Sequence, residues 1–207
     1  MVVVPEHLES QIRLLQRGGY RFSSAEQLLE GGGGAPRPGT AVVTFDDGFL
    51  DNLTVAAPLL QRLGVRGTFY VCPGMWGQRH ELVKGEGAQL LDEDGARQLH
   101  EEGMELGAHT MSHPDLRLLG DDQLRSELRD SKAAVEAVTG RPCRTLAYPF
   151  GLHDQRVENA AQAAGFELAF AWRPGPWRPF AAPRMPAPVR RGGGLLALKM
   201  LGVRRRV

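Results

Sequence analysis

Cysteine is scarce in this 207-residue chain, with Cys72 and Cys143 the only two. Their separation matches no metal-type spacing, and two are too few for a disulfide framework, so both read as buried free thiols. A surplus of one sign of charge is also missing. Lys and Arg number 25 against 24 Asp and Glu, a formal charge of +1, which gives no reason to expect nucleic acid or an acidic partner. No apolar run approaches the ~18–20 residues of a membrane-spanning helix. Met1-Val2-Val3-Val4-Pro5 is too short for a signal-peptide core and lacks a basic start. As written, the chain is expected to be cytoplasmic; a true start lying upstream would shift that expectation to the cell envelope.

What the chain does have is alternation. Pro5–Arg17 reads as a helix with Leu8, Ile12 and Leu15 on one face and Gly18-Gly19 as its stop. Ser24-Ala25-Glu26-Gln27 fits a capping box opening a short second helix. After a glycine-rich loop over 31–34, strand-like runs recur at 41–45, 67–71, 104–108, 144–148 and 166–171. Between them lie helix-like segments over 53–63, 92–102 and Asp121–Thr139, and one ending at Gly165. This pattern predicts an α/β fold with a mostly parallel sheet, either open or an incomplete (β/α) barrel. The length suits one domain, taken as 1–190. A basic tail over 191–207 ends in Arg204-Arg205-Arg206 and reads as a frayed terminus or a weak membrane-surface contact.

Three motifs sit where predicted strands end. Asp46-Asp47-Gly48 closes the first of the regular strands, His109-Thr110-Met111-Ser112-His113 another, and Tyr148-Pro149-Phe150-Gly151 a third. Parallel βα folds gather their active sites at the carboxyl ends of the strands, so the three are expected on one face. Two adjacent carboxylates repel unless a cation sits between them. Histidines four apart bring both imidazoles to one side of a helical turn, close enough to share an ion. The plain alternatives are a turn at Asp-Asp-Gly, satisfied histidines, and a strand-to-loop corner at Tyr-Pro-Phe-Gly, where the N–H near Phe150 could instead serve as an oxyanion donor. Asp51 reads as a helix cap, and Asp115 as a loop hydrogen-bonder or a further ligand. His7, His80 and His100 read as surface residues, and His153, two residues past the Tyr-Pro-Phe-Gly turn, as a lesser candidate for the site. Trp172 and Trp177 flank a Pro/Gly-rich loop, packing there or offering faces to a sugar ring.

As a set these motifs resemble the polysaccharide deacetylase family, the NodB-homology carbohydrate esterases. The likeness runs from the Pro5–Arg17 helix to Pro183-Arg184, with the third motif in a Tyr-Pro-Phe-Gly variant found in a shorter branch. It implies a deformed (β/α) barrel and removal of N-acetyl groups from an N-acetylated sugar or polysaccharide. It also implies a divalent metal, most often zinc, held by Asp47, His109 and His113. Asp46 would be the general base, Phe150 would lend its backbone N–H to the oxyanion, and Tyr148 would line the same side. Where many members carry an Arg in the third motif this chain has Ala147, and Arg184 would supply the missing cation. A late histidine that serves relatives as general acid has no counterpart, because none follows His153. The strand usual ahead of the first helix is also absent, which fits a start lying upstream. Two other readings stay open: an O-acetyl sugar esterase, where leaving-group protonation matters less, and a catalytically silent carbohydrate-binding domain. Oligomeric state is not legible.

Overall fold

The computed structural model describes residues 4–30, 36–80, 88–172 and 175–185; the expected tail over 191–207 lies outside them. Helix α1 (Pro5–Arg17) leads to β1 (Arg21–Ser23), α2 (Ala25–Glu30), β2 (Thr40–Val42) and β3 (Thr44–Phe45). Next come α3 (Ala57–Arg62), β4 (Thr68–Val71), α4 (Glu93–Glu101) and β5 (Glu105–Ala108). The rest is α5 (Asp121–Thr139), β6 (Thr145–Ala147), α6 (Gln155–Ala163), β7 (Leu168–Ala171) and β8 (Ala182–Pro183). Strands β3 to β8 form one sheet in chain order, with every neighbouring pair parallel. No ladder joins the edge strands β3 and β8. Even so, Arg184, just after β8, bonds Asp46, just after β3, at 2.7 Å. The sheet is therefore curled into an incomplete (β/α) barrel, as the alternation predicts.

Side chains alternate across each strand and sort into two cores. Phe69, Val71, Leu106, Leu146 and Ala169 face the helices and join Leu99, Leu124, Leu128 and Val157. Tyr70, Ala147, Leu168, Phe170 and Ala182 face inward and fill the barrel with Ala25 of α2. Gly107 makes room for that filling: a Cβ there would stand 2.3 Å from the Tyr70 ring. Each large buried aliphatic contributes about 1.5–3 kcal/mol, so the outer layer, with most of them, carries most of the stability. Leu8, Ile12 and Leu15 of α1 are buried as their spacing requires, and Ile12 is 1% exposed. The capping box forms as expected, Ser24 N–H donating to Gln27 Oε1 at 2.9 Å and Gln27 N–H to Ser24 Oγ at 3.4 Å. Both cysteines are buried free thiols.

The structure departs from the sequence reading in three places. The single strand expected over 41–45 is split, because Thr40–Val42 pairs with β1 in a side sheet while Thr44–Phe45 enters the main one. Ala-Val-Val-Thr-Phe is uniformly strand-forming, so nothing in it marks the switch. The helix expected over 53–63 opens as a π-helical turn, Asn52–Ala56, and Asp51 precedes it without a side-chain cap bond. Strands β1 and β8, of three and two residues, are too short to show a period. Among the described residues no helix is long and apolar enough to cross a membrane.

Candidate metal centre

The three strand-end motifs meet at one mouth of the barrel, and the backbone bends sharply to bring them there. Among the described residues four non-glycine residues have positive φ: Asp47, Thr110, His113 and Phe150. All four lie in the loops after β3, β5 and β6. Left-handed backbone at such residues costs of order 1–3 kcal/mol each and clusters where function requires it. Asp47 at φ 73° is followed by Gly48 at the same angle, and this pair turns the chain so that the two aspartates diverge. Gly48 also lets the turn sit against β4, since a Cβ would lie 3.0 Å from Val71 Cγ1.

Asp47 turns toward the histidines. Its Oδ1 lies 3.4 Å from His109 Nε2 and 3.3 Å from His113 Nε2. Two ligands bound at about 2.0–2.1 Å in a tetrahedron stand about 3.4 Å apart, so the spacing is that of three ligands sharing one ion. The three ligand atoms all lie within 4.8 Å of one another. His109, 1% exposed, uses Nδ1 on the Ala147 carbonyl at 2.7 Å. That bond fixes Nδ1 as the protonated nitrogen and aims the Nε2 lone pair at the site, the usual arrangement of a metal-ligating histidine. The donor set and its geometry fit a divalent metal.

The His109–His113 segment is not the helical turn its spacing suggests. Thr110 and His113 are both left-handed, and the loop is braced from α5. Glu127 accepts from Met111 N–H at 2.8 Å, Ser112 N–H at 3.0 Å and the Ser112 hydroxyl at 2.6 Å. His113 N–H donates to Thr110 Oγ1 at 3.1 Å. Glu127 was missed in the sequence, because a glutamate inside a solvated helix face looks like any other.

Asp46 turns the other way, onto Arg184. The guanidinium clamps it with two parallel bonds, Nη1 to Oδ1 at 2.7 Å and Nη2 to Oδ2 at 2.8 Å, and Nη1 also reaches Thr44 Oγ1 at 3.1 Å. Arg184 is held by its own N–H on the Ala171 carbonyl at 3.0 Å and stacks over Tyr70 and Phe170. Burial by itself would raise the Asp46 carboxyl, but the charges of Arg184 and His109 and the Arg184 hydrogen bonds outweigh it and hold it below 3.8. For Asp47 burial again opposes ionisation, and the hydrogen bonds and charges of His109 and His113 hold it well below the same value. His109 is the mirror case: burial would lower it, and Asp46 and Asp47 raise it above 6.5. The pocket attracts positive charge, which is the condition for holding a cation.

The remaining candidates divide. The Phe150 ring packs edge-on against His113 at 4.6 Å and stays 40% exposed, so it forms a wall of the mouth. Tyr148 is placed differently from its expected position beside substrate. Its side chain is fully buried, and its hydroxyl donates to the Phe180 carbonyl at 3.1 Å. Tyr148 follows Ala147 on the same side as Leu146, so the alternation of β6 turns it into the helix-facing core rather than toward the mouth. His153 stacks on Tyr148 and its Nε2 lies 3.4 Å from Glu158, turned to α6 rather than to the ligands. Asp115 makes loop hydrogen bonds to Arg117, as expected. His7 and His100 are half-buried, not exposed. His80, expected on the surface, is buried with Nε2 4.0 Å from Asp47 Oδ2. The signal was absent because its loop has no period, and its placement depends on pairing with residues eight or more positions on. Trp172 is half exposed beside the Gly151 turn, and Trp177 packs on the inner core.

Comparison with known proteins agrees with this architecture. A family profile described as polysaccharide deacetylase matches residues 33–169. The chain is 25% identical over 175 residues to the putative polysaccharide deacetylase YxkH of Bacillus subtilis, covering 84% of this chain and 60% of that protein. It is 24% identical over 152 residues to a peptidoglycan-N-acetylglucosamine deacetylase of Bacillus cereus, covering 72% and 50%. The chain thus spans half to three-fifths of these relatives' length. Among solved structures, the Streptococcus pyogenes deacetylase PplD in complex with acetate superposes with a TM-score of 0.83 at 23% identity, over 98% of this chain and 89% of that one. At that identity the likeness is one of fold.

Proposed function

The chain belongs to the polysaccharide deacetylase family, and on that premise we propose that it is a metal-dependent hydrolase removing N-acetyl groups from an N-acetylated sugar or polysaccharide. One observation carries the reading: Asp47 Oδ1 meets two imidazole Nε2 atoms at 3.3–3.4 Å while the adjacent Asp46 is left out of that cluster and kept ionised. A structural ion would need no such spare carboxylate.

A divalent ion held by Asp47, His109 and His113, zinc by ligand type, would supply Lewis acidity toward the acetyl carbonyl and an attacking water. Asp46 would take up the proton that the water gives up, at whichever oxygen faces it, and return it to the amine nitrogen as the C–N bond breaks. Arg184 keeps that carboxylate ionised and fixes its plane through the bidentate clamp, the part left open by Ala147 in the third motif. Phe150 presents its backbone N–H from a left-handed corner as the donor to the developing oxyanion. The exposed Phe150 and Trp172 rings give the mouth apolar faces suited to a sugar ring.

The test is acetate release from N-acetylglucosamine oligomers by metal-stripped protein, zinc-reloaded protein and zinc-reloaded Asp46→Asn. Activity restored by zinc and lost in the variant is the expected result. A second reading, an O-acetyl sugar esterase, draws on the engagement of His153 with Glu158, since an ester leaving group needs less help from an acid. Acetate from O-acetylated but not N-acetylated sugars would favour it. Tight sugar binding without acetate from either would favour a silent binding domain.

A further inference from the structure

Between β4 and α4, residues 77–80 and 88–91 pair as a short ribbon beside the Asp46-Asp47 loop. Gly77 N–H donates to the Leu91 carbonyl at 2.9 Å, Leu90 N–H to Gln78 at 2.9 Å and His80 N–H to Ala88 at 2.7 Å. The returning side is stitched to the Asp46-Asp47 loop as well. Leu91 N–H donates to the Gly48 carbonyl and Leu50 N–H to Gln89, both at 2.8 Å, and Phe49 bridges Leu90. His80 and Asp47 therefore ride on one continuous backbone ladder.

The His80 side chain points inward from this ribbon. It is 6% exposed, with its ring 5.4 Å from that of Phe49 and 5.6 Å from that of His113. Its Nε2 lies 4.0 Å from Oδ2 of Asp47, while His109 and His113 face Oδ1 of the same carboxylate. The His80 nitrogen is not part of the cluster whose ligand atoms lie within 4.8 Å of one another. It stands behind the carboxylate rather than among the ligands.

We propose that His80 is a positioning residue of the metal centre: its Nε2–H donates to Oδ2 of Asp47 and so keeps Oδ1 aimed at His109 and His113. This rests on the reading of those three side chains as metal ligands. A carboxylate that gives one oxygen to an ion can pivot about that contact, and a donor on the other oxygen stops the pivot. At the observed 4.0 Å this bond is not made, and the gap must close to about 3 Å when the ion is held. Partners of this kind are worth ~10–100-fold in metal affinity.

The test titrates wild-type protein, His80→Leu and His80→Gln with zinc against a chromophoric chelator. Zinc affinity should fall ~10–100-fold in His80→Leu and less in His80→Gln, whose amide nitrogen reaches to where Nε2 stood. Equal affinities in wild type and His80→Leu overturn the proposal. Nitrogen-detected NMR of zinc-loaded wild type needs no variant to fold. The His80 proton must sit on Nε2, and an Nε2 without one, through ligation of zinc or protonation at Nδ1, overturns the assignment. Wild-type protein that takes up no zinc removes the metal-centre reading itself, and His80's role with it. That result is distinct from equal affinities.

Discussion

The two ends of the barrel both bury carboxylates, and they satisfy them by opposite means. At the floor, Glu105 at the start of β5 is 2% exposed. It accepts from Glu26 N–H at 3.0 Å on each oxygen and from the Thr68 hydroxyl at 3.1 Å, and Ala25 N–H donates to Thr68 Oγ1 at 3.0 Å. These partners are neutral, so burial prevails and raises the carboxyl above 4.5. The floor thereby closes on itself and caps α2. At the mouth, Asp46 and Asp47 are held below 3.8 by a guanidinium and two imidazoles. The four left-handed non-glycine residues found among the described residues lie there. A carboxylate that serves the fold is satisfied by main-chain donors at ordinary dihedrals. The two at the candidate metal centre are surrounded by positive charge on a strained backbone.

That contrast can be broken first by activity. Asp46→Asn should lower zinc-dependent acetate release by ~10²–10⁴-fold with zinc affinity retained. Glu105→Gln should leave release per folded molecule unchanged. A collapse of activity in Glu105→Gln with the fold intact would erase the distinction.

Stability sharpens it next. Arg184→Ala leaves Asp46 buried without its partner, and removing one half of such a pair costs about 3–5 kcal/mol. Urea unfolding should report that loss together with reduced turnover, and Arg184→Lys should not recover the two-point clamp. Undiminished turnover in Arg184→Ala would dispose of its role in orienting the base. At the floor, Glu105→Leu strands the Glu26 N–H and the Thr68 hydroxyl, a loss of about 1–3 kcal/mol read by the same unfolding with turnover unaffected.

Glu127→Gln should act on the mouth from a distance. Weakening its hold on Met111 and Ser112 loosens His113, and zinc affinity should fall by about tenfold in the same chelator competition.

The smallest effect is one of pH, in metal-free protein. Asp46 has a lowered carboxyl, so its contribution to stability is present above 3.8 and is lost as pH falls through the folded value. Glu105 has a raised one, so its contribution is full below 4.5 and is lost as pH rises through the folded value. The stability deficit of Asp46→Asn should therefore shrink on acidification, while that of Glu105→Gln should shrink on going toward neutrality. Thermal melts across that range that move both deficits in the same direction would break the comparison.

Much of the mouth was legible because its signals are local. An apolar run delivering Asp46-Asp47 to a strand end, and histidines four apart after another, needed only short windows of sequence. The helix faces of α1 and α5 followed from their 3.6-residue period, and the Ser24–Gln27 box from its spacing. Arg184 could be expected near Asp46 only through resemblance, and Tyr148 was misplaced beside substrate because its residue type said nothing of which way the corner folds. Glu127 and His80 gave no signal.

The sequence by itself determined the longer strands, most of the helices and the chemistry at their ends, since side-chain period, capping and turn preference act within a few residues. Only the tertiary structure decided which aspartate faces the histidines and which faces Arg184, 138 positions away. It also decided that His80 stands behind Asp47 and that Glu127 braces the histidine loop. Those pairings depend on how far the sheet curls and on two left-handed residues in a row at Asp47-Gly48. Curvature is a sum over six strands and their packing, a quantity that no short stretch of the chain contains.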